Sequence, residues 1–306
     1  MIAPPFLRPG DTVGVVAPAS RFDYNDLRPG LALLRHEWQL NVLEGVSLTA
    51  HSGPFAGSIA LRQHDIQTML DDPAIRAVFA ARGGYGSYQL VDVLDFTKFR
   101  QYPKWFVGFS DITLLHCQIE KTGVQSLHAV MPRQFAKPEA AESVESLRRW
   151  LFGVGFDYYS APAHALNRPG QASGTLIGGN LTLLLHTLAT PTEPDWQGKI
   201  LFIEDVDETF FSIDRMLTQL RRAGRLAQLA GLVVGQFSDL RENTSLPYGQ
   251  PIEAVIAAHL DGLDCPVCFD FPVGHTDRNL AMPIGRPVEL VVGTGEARLN
   301  FHSDGM

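Results

Sequence analysis

One serine, Ser110, lies where an apolar run meets a helical pattern. The run Trp105–Phe109 is typical of a buried parallel strand, and apolar residues recur at helical spacing from Asp111 onward. A serine at such a junction presents its hydroxyl above the carboxyl end of a sheet, where the first N–H groups of the helix favour negative charge. This arrangement suits a nucleophile. Gly108 fits the usual nucleophile pattern but Ile112 replaces its second glycine, so a helix N-cap is the alternative interpretation of this serine.

A glycine-rich loop, Arg82-Gly83-Gly84-Tyr85-Gly86, follows the apolar run Ile75–Ala81. Glycines let backbone amides approach a ligand closely, so the loop is a candidate for binding an anion or an oxyanion. Its glycines match neither the phosphate loop of nucleotide hydrolases nor the dinucleotide-binding pattern. A plain tight turn is the alternative.

Several acidic residues follow the apolar run Leu201–Ile203, namely Glu204, Asp205, Asp207 and Glu208. They resemble the acidic strand end of an ATPase, but no phosphate loop accompanies them. Three other interpretations remain: a divalent-cation site, a carboxylate that orients a catalytic histidine, and a solvated acidic loop.

The histidine best placed for such a role is His275, in a polar loop after the strand that ends at Val273. An imidazole titrates near pH 6.5 and can act as a general base. His128, at a strand end, is a candidate wall residue of the same site, whereas His116 and His186 lie in helical runs. Cys265 and Cys268 resemble a redox or zinc pair, but core packing is the preferred interpretation because no second pair accompanies them.

Composition limits the classes of partner. The chain has 306 residues, a formal net charge of −8 and a pI near 5.7. It has no long basic run, so we expect neither nucleic acid nor a membrane surface as a partner, and a small molecule fits better. Three cysteines cannot form a disulfide framework, the first residues do not form a signal peptide, and no apolar stretch approaches a membrane span. We therefore predict a cytoplasmic protein.

The order of elements predicts two domains. Strand and helix patterns alternate through the first half, which indicates a parallel sheet with helices on both faces and ligands at the carboxyl ends of its strands. Gly and Pro interrupt the pattern over residues 153–171. We predict an N-terminal α/β domain over 1–152, a linker over 153–171 and a C-terminal domain over 172–306. The last domain should end in a hairpin turning at Gly293-Thr294-Gly295.

Six motifs in order resemble the LD-carboxypeptidase family of serine peptidases, over nearly the whole chain. They are Arg8–Ser20, Ala81–Gly86, Gly108–Thr113, Gly178–Leu181, Phe202–Asp205 and Gly274–Gly285. The resemblance implies a flavodoxin-like N-terminal domain, akin to class I glutamine amidotransferases, and a smaller β-rich C-terminal α/β domain. It also implies a homodimer that needs no cofactor and no metal.

The resemblance further implies a catalytic triad of Ser110, Glu204 and His275, with an oxyanion hole formed by the N–H groups of Gly84 and Asp111. The substrate-binding candidates are Arg82, Tyr85, His128 and Asn180. The implied reaction is release of the terminal D-alanine from murein tetrapeptide during peptidoglycan recycling.

Three alternatives remain open. The microcin-C self-immunity peptidases belong to the same family, although the length of the chain and the Gly178-Gly179-Asn180 motif resemble the murein branch more closely. A non-catalytic peptide-binding module and a metal-dependent hydrolase are the other two.

Overall fold

The computed structural model describes residues 1–301, which divide into two compact units. Unit 1 comprises Met1–Gly155 and Asp277–Gly285, and unit 2 comprises Phe156–Thr276 and the residues from Arg286 onward. In the described residues, no helix is both long enough and apolar enough to cross a membrane.

Unit 1 is built on a six-stranded sheet, with strands numbered along the chain. Five strands are parallel, and the sixth pairs antiparallel with one of them at an edge of the sheet. Their bounds are β1 (Thr12–Val16), β2 (Asn41–Glu44), β3 (Ile75–Ala80), β4 (Trp105–Gly108), β5 (Ser126–His128) and β11 (Met282–Ile284). The spatial order β2-β1-β3-β4-β5 is that of a flavodoxin-like sheet, which confirms the predicted fold class.

The helices of unit 1 match the predicted alternation with one difference. Their bounds are α1 (Arg28–Ala32), α2 (Ile59–Asp71), α3 (Thr97–Gln101), α4 (Thr113–Lys121) and α5 (Ala141–Leu151). Residues 24–38 carry apolar residues at helical spacing but form a 3₁₀ turn, then α1, then a wider π-type turn, because Pro29 favours a new helix start. Gly30 lets this segment approach its neighbour, since a Cβ there would lie 1.8 Å from the carbonyl oxygen of Pro132.

The unit 1 core fixes the end of β4 where Ser110 follows. Phe106 on β4 and Val78 on β3 are buried with Ile66 of α2 and Leu115 of α4 in one apolar cluster. Each such side chain contributes about 1.5–3 kcal/mol when it is fully buried. The β4–α4 junction is therefore held by packing on both sides of its turn.

Unit 2 contains a mixed seven-stranded sheet in the order β10-β9-β8-β7-β12-β13-β6. The long strand β7 pairs in parallel with β8 and antiparallel with β12, so it joins the parallel and antiparallel halves. The bounds are β6 (Tyr158–Pro162), β7 (Gly170–Asn180), β8 (Ile200–Val206), β9 (Gly231–Ser238), β10 (Val267–Cys268), β12 (Pro287–Val292), β13 (Glu296–Phe301), α6 (Leu181–Thr187), α7 (Phe210–Arg222) and α8 (Ile252–Ala258). β12 and β13 form the predicted hairpin.

Two observed boundaries differ from the predicted ones. Residues 277–285 were assigned to the C-terminal domain from the sequence, but they belong to unit 1, where β11 completes the edge of the sheet. The predicted linker over 153–171 contains β6, which pairs with β13, and the first residues of β7. Gly and Pro disrupt local periodicity there without preventing the chain from pairing at a sheet edge.

Candidate active site

Ser110 has a left-handed backbone. Its φ is 65°, and it opens a one-turn 3₁₀ helix, Ser110–Ile112, that leads from β4 into α4. The cap position of that turn is Phe109, and in this part of the described chain no side-chain oxygen caps either the turn or α4. The N-cap interpretation of Ser110 therefore does not hold. A strained, half-buried serine at a strand end has the geometry of a nucleophile instead.

Small and neutral groups support this turn. A Cβ at Gly108 would lie 2.9 Å from the side chain of Ile112, so only glycine fits without a shift. The buried ring of His116 lies 2.8 Å from the Gly108 carbonyl through Nε2 and 2.8 Å from Ser126 Oγ through Nδ1. Burial lowers the pKa of His116 to about 4. The ring is therefore neutral, with Nε2–H donating to Gly108 and Nδ1 accepting from Ser126.

The glycine loop lies against the Ser110 turn. A Cβ at Gly83 would lie 3.2 Å from the Cβ of Ser110 and 3.4 Å from the amide nitrogen of Asp111. Gly84 has φ of 101°, a conformation that favours glycine, and the next amide, that of Tyr85, donates to Ser20 Oγ at 3.0 Å. Gly83 therefore packs directly against the turn that carries Ser110 and the Asp111 amide.

A pair of hydrogen bonds, here called the Ser87–Asp111 bridge, joins the far end of that loop to the Ser110 turn. The Ser87 amide donates to Asp111 Oδ2 at 2.8 Å, and Ser87 Oγ donates to the Asp111 carbonyl at 2.5 Å. Burial raises the pKa of Asp111, and the bonds from Ser87 and Gly86 oppose that rise. Arg62, only 1% exposed, adds bonds to the carbonyl oxygens of Pro18 (2.6 Å) and Gly86 (3.1 Å).

Unit 2 carries a histidine–carboxylate pair. Glu204 lies on β8 and is fully buried, and its Oε2 is 2.7 Å from His275 Nδ1, whose side chain is 17% exposed. Gly274 makes this approach possible, because with φ of 137° a Cβ there would lie 2.9 Å from the Gln236 carbonyl and 3.2 Å from Glu204 Cβ. A carboxylate only accepts hydrogen bonds, so Nδ1 carries the proton and the basic lone pair is on Nε2.

Charge around the ring favours the imidazolium form. Burial lowers the pKa of His275, but the charge of Glu204, its hydrogen bond, and the charges of Asp205 and Asp239 outweigh burial. The pKa of His275 therefore lies above its ordinary value near 6.5. An imidazole of this kind accepts a proton readily during a reaction.

Asp205, the residue after Glu204, supports the start of α6 through hydrogen bonds. Asp205 accepts bonds from the Asn180 side chain at 2.8 Å and from both the amide and the hydroxyl of Thr182 at 2.9 Å. Burial and the charge of Glu204 raise the pKa of Asp205 to about 6. Asn180 in turn caps α6 through the Leu183 amide, so the side chain predicted to bind substrate also fixes the start of a helix.

The acidic run is thus not one solvated loop. Glu204 and Asp205 are buried, whereas Asp207 is exposed and forms an ion pair with Arg241. Within the described residues, no group of three or more His, Cys, Asp or Glu side chains could hold a metal ion. Burial raises the pKa of the Cys268 thiol to about 12, which agrees with its interpretation as a core residue.

The remaining substrate-binding candidates of unit 1 have different exposures. Arg82 is half-buried and donates to the Arg21 carbonyl at 2.7 Å, while Tyr85 is exposed. His128 is buried at the end of β5, with its ring 5.7 Å from that of Phe109. Burial and the charge of Arg133 lower the pKa of Arg82. Sequence reasoning did not single out Arg133, which forms an ion pair with Asp26 at 2.9 Å.

Comparison with protein-family models identifies the chain. The model of the LD-carboxypeptidase N-terminal domain matches residues 13–129, and that of the LD-carboxypeptidase C-terminal domain matches residues 173–290. The chain belongs to the LD-carboxypeptidase family. It is therefore related to peptidases, a class of hydrolases, and its two-unit α/β architecture is that of the family.

Individual proteins resemble the chain over most of their length. A probable murein peptide carboxypeptidase of Bacillus subtilis is 37% identical over 289 residues, covering 92% of this chain and 89% of that protein. The crystal structure of muramoyltetrapeptide carboxypeptidase from Oxalobacter formigenes is 28% identical, with a TM-score of 0.85 over 96% of this chain and 100% of the other. The microcin C7 self-immunity protein shares the fold at 19% identity, with a TM-score of 0.88 over 99% of both chains.

Proposed function

We propose that the protein is a serine-type LD-carboxypeptidase that releases the terminal D-alanine of murein tetrapeptide. Ser110 is the nucleophile, His275 the general base and Glu204 the carboxylate that orients it. The observation that carries the proposal is the left-handed Ser110 at the end of β4, packed against the glycine loop. The murein relatives support the substrate, and the 2.7 Å Glu204–His275 bond supports the role of the base.

The reaction then follows acyl transfer in two steps. Ser110 Oγ attacks the carbonyl carbon of the last peptide bond as its proton passes to His275 Nε2. The tetrahedral intermediate collapses, the C–N bond breaks, and His275 returns the proton to the amine of the departing D-alanine. Water attacks the resulting ester by the same proton transfers, which releases the tripeptide and restores the Ser110 hydroxyl.

Backbone amides stabilise the charge that develops in this reaction. The negative oxygen of each tetrahedral intermediate accepts hydrogen bonds from the N–H groups of Gly84 and Asp111. The packing of Gly83 against the Ser110 turn and the Ser87–Asp111 bridge support this assignment, because both join the glycine loop to that turn.

A carboxypeptidase must also bind the terminal carboxylate of its substrate. Arg82 is the proposed partner, because it is half-buried and the nearby charge of Arg133 lowers its pKa. A substrate carboxylate would add negative charge beside these two cations, of which Arg133 already forms an ion pair with Asp26 at 2.9 Å. An amidated or internal peptide lacks the carboxylate that Arg82 would bind, so such substrates should be rejected by orders of magnitude.

A substrate panel read by mass spectrometry tests the function. The wild-type protein should convert murein tetrapeptide to tripeptide and D-alanine, and should reject peptides that end in L-alanine or in an amide. Ser110→Ala should lower kcat by about 10³-fold or more, and a fluorophosphonate probe should label Ser110 in the wild type alone. Half of the activity remaining in Ser110→Ala would exclude the serine mechanism. Complete loss of activity with a chelator would favour a metal-dependent hydrolase.

The same panel decides between the branches of the family. Preferential cleavage of an aminoacyl sulfamoyl adenosine would assign the protein to the microcin type, and binding without cleavage of any substrate would make it a peptide-binding module. The proposed function is part of cytoplasmic murein recycling, and the family resemblance predicts a homodimer. Sedimentation at several protein concentrations measures that oligomeric state.

A further inference from the structure

Three aromatic side chains of unit 1 form a row beside the glycine loop, here called the aromatic platform. The rings of Phe55 and Tyr85 have centroids 6.1 Å apart at 26°, and those of Tyr85 and Tyr88 are 5.0 Å apart at 46°. Tyr85 is 57% exposed and Tyr88 41% exposed. A cluster of exposed aromatic rings next to a proposed reaction site indicates a ligand-binding surface.

The platform is held in place by buried groups. The Arg62 guanidinium lies 4.9 Å from the Phe55 ring centroid, and Arg62 also bonds the carbonyl of Gly86. The Tyr85 amide donates to Ser20, and the Tyr88 hydroxyl accepts from the Gln89 side-chain amide at 3.2 Å. The rings are therefore pre-oriented, so a ligand would lose little binding free energy to ordering them.

We propose that the aromatic platform binds the muramic-acid sugar attached to the amino end of the murein peptide. This inference rests on the proposed function. A pyranose ring has one face lined by C–H groups, which gains from contact with aromatic faces, and a rim of hydroxyls. The phenol groups of Tyr85 and Tyr88 and the amide of Gln89 can bond those hydroxyls.

The peptide is long enough to extend from the proposed nucleophile toward the platform. Three residues separate the cleaved bond from the sugar, and an extended chain of that length spans about 10 Å. The platform begins at Tyr85, two residues after Gly83, which packs against Ser110, and the rings of Phe55 and Tyr88 lie 6.1 and 5.0 Å from that of Tyr85. A peptide whose last bond lies at Ser110 can therefore bring its sugar to these rings.

The shape of the platform favours a sugar over a nucleobase. A flat base stacks best on a parallel ring face. Tyr85 and Tyr88, the two most exposed rings, are instead tilted by 46° and have hydroxyls at their edges. The two tilted tyrosine rings form an angled surface with polar edges, which suits the puckered ring of a sugar.

The test compares free murein tetrapeptide with its N-muramoyl form. The wild-type kcat/KM should be higher for the muramoyl peptide, and Tyr88→Ala should lower this preference about tenfold through KM. Tyr88→Phe keeps the ring and should retain most of the preference. Tyr102→Ala, which removes a tyrosine 44% exposed elsewhere in unit 1, should leave the preference unchanged.

Three outcomes would overturn the inference. They are equal kcat/KM for the two peptides in the wild type, an unchanged preference in Tyr88→Ala, and a Tyr88 effect confined to an aminoacyl adenosine ligand. Cleavage of free tetrapeptide without any sugar preference would leave the proposed function intact. If neither peptide is cleaved, calorimetric binding of both to Ser110→Ala still decides whether Tyr88 contributes to binding the sugar.

Discussion

At the scale of single residues, Ser110 carries backbone strain that can be measured apart from catalysis. Its φ of 65° is unfavourable for any residue with a Cβ, and its side chain caps no helix. Ser110→Ala should therefore match the wild type in urea denaturation, while Ser110→Gly should be more stable than Ser110→Ala by about 1 kcal/mol. If Ser110→Ala instead loses about 1 kcal/mol relative to the wild type, the serine acts as a cap.

A second residue-scale prediction concerns pH. In the proposed mechanism the neutral imidazole of His275 is the base, so kcat/KM should rise with pH as the ring loses its proton. Because Glu204 and nearby charges raise the pKa of His275, the midpoint of that rise should lie above about 6.5. Glu204→Gln removes the charge, so it should move the midpoint to lower pH and reduce the plateau.

The same ion pair affects stability in a defined pH window. A raised histidine pKa adds to the free energy of unfolding below about pH 6.5, and this contribution is lost as pH rises through the folded-state pKa. The free energy of unfolding of Glu204→Gln should fall less over that pH window than that of the wild type. Identical kcat/KM profiles for the wild type and Glu204→Gln would refute the assigned pair.

At the scale of elements, the Ser87–Asp111 bridge connects the glycine loop to the Ser110 turn. Ser87→Ala removes the 2.5 Å bond to the Asp111 carbonyl and should loosen Gly84 and Asp111, the two proposed oxyanion donors. We expect kcat to fall about tenfold with little change in KM, because the donors act mainly on the transition state. A peptide-aldehyde inhibitor, which mimics the oxyanion, should lose affinity by a similar factor.

The control for Ser87→Ala is a variant that is destabilised elsewhere in unit 1. Ser58 caps α2 through the Leu61 amide, so Ser58→Ala should lower stability by about 1 kcal/mol and leave kcat unchanged. Equal effects of the two variants on kcat would mean that Ser87 acts only through stability.

These elements also show what the sequence could predict. The β4 run, the glycine loop and the β12–β13 hairpin are encoded in contiguous residues, and the structure forms the strands and the hairpin at those positions. The bond from Ser87 to Asp111 spans 24 residues, and the Arg62 bond to Pro18 spans 44. Such contacts follow from the packing of whole elements, so no local pattern revealed Asp111, Arg62 or His116 as supports of the turn.

At the scale of the whole molecule, the chain leaves unit 2 immediately after the proposed base. His275 is in unit 2, and unit 1 resumes at Asp277. Two buried serines of α5 then hold the returning segment. Ser143 Oγ donates to the Asp277 carbonyl at 3.0 Å and accepts from the Asn279 amide at 2.8 Å, and Ser146 Oγ accepts from the Ala281 amide at 3.0 Å. The three-residue strand β11 follows, which explains why sequence patterns alone left this segment in the C-terminal domain.

This connection predicts a role for Ser143 in catalysis. Ser143→Ala removes both bonds at the residues that follow His275, so it should increase the motion of the ring and lower kcat about tenfold, since small displacements of a catalytic group are costly. Ser143→Thr keeps the hydroxyl and should recover part of kcat. The control is Glu142→Gln, which weakens the neighbouring ion pair between Glu142 (58% exposed) and Arg278 (52% exposed). This variant should change kcat little, because ion pairs on the surface contribute weakly to stability. If Ser143→Ala lowers the melting temperature while kcat stays at the wild-type value, the segment only stabilises unit 1 and does not position His275.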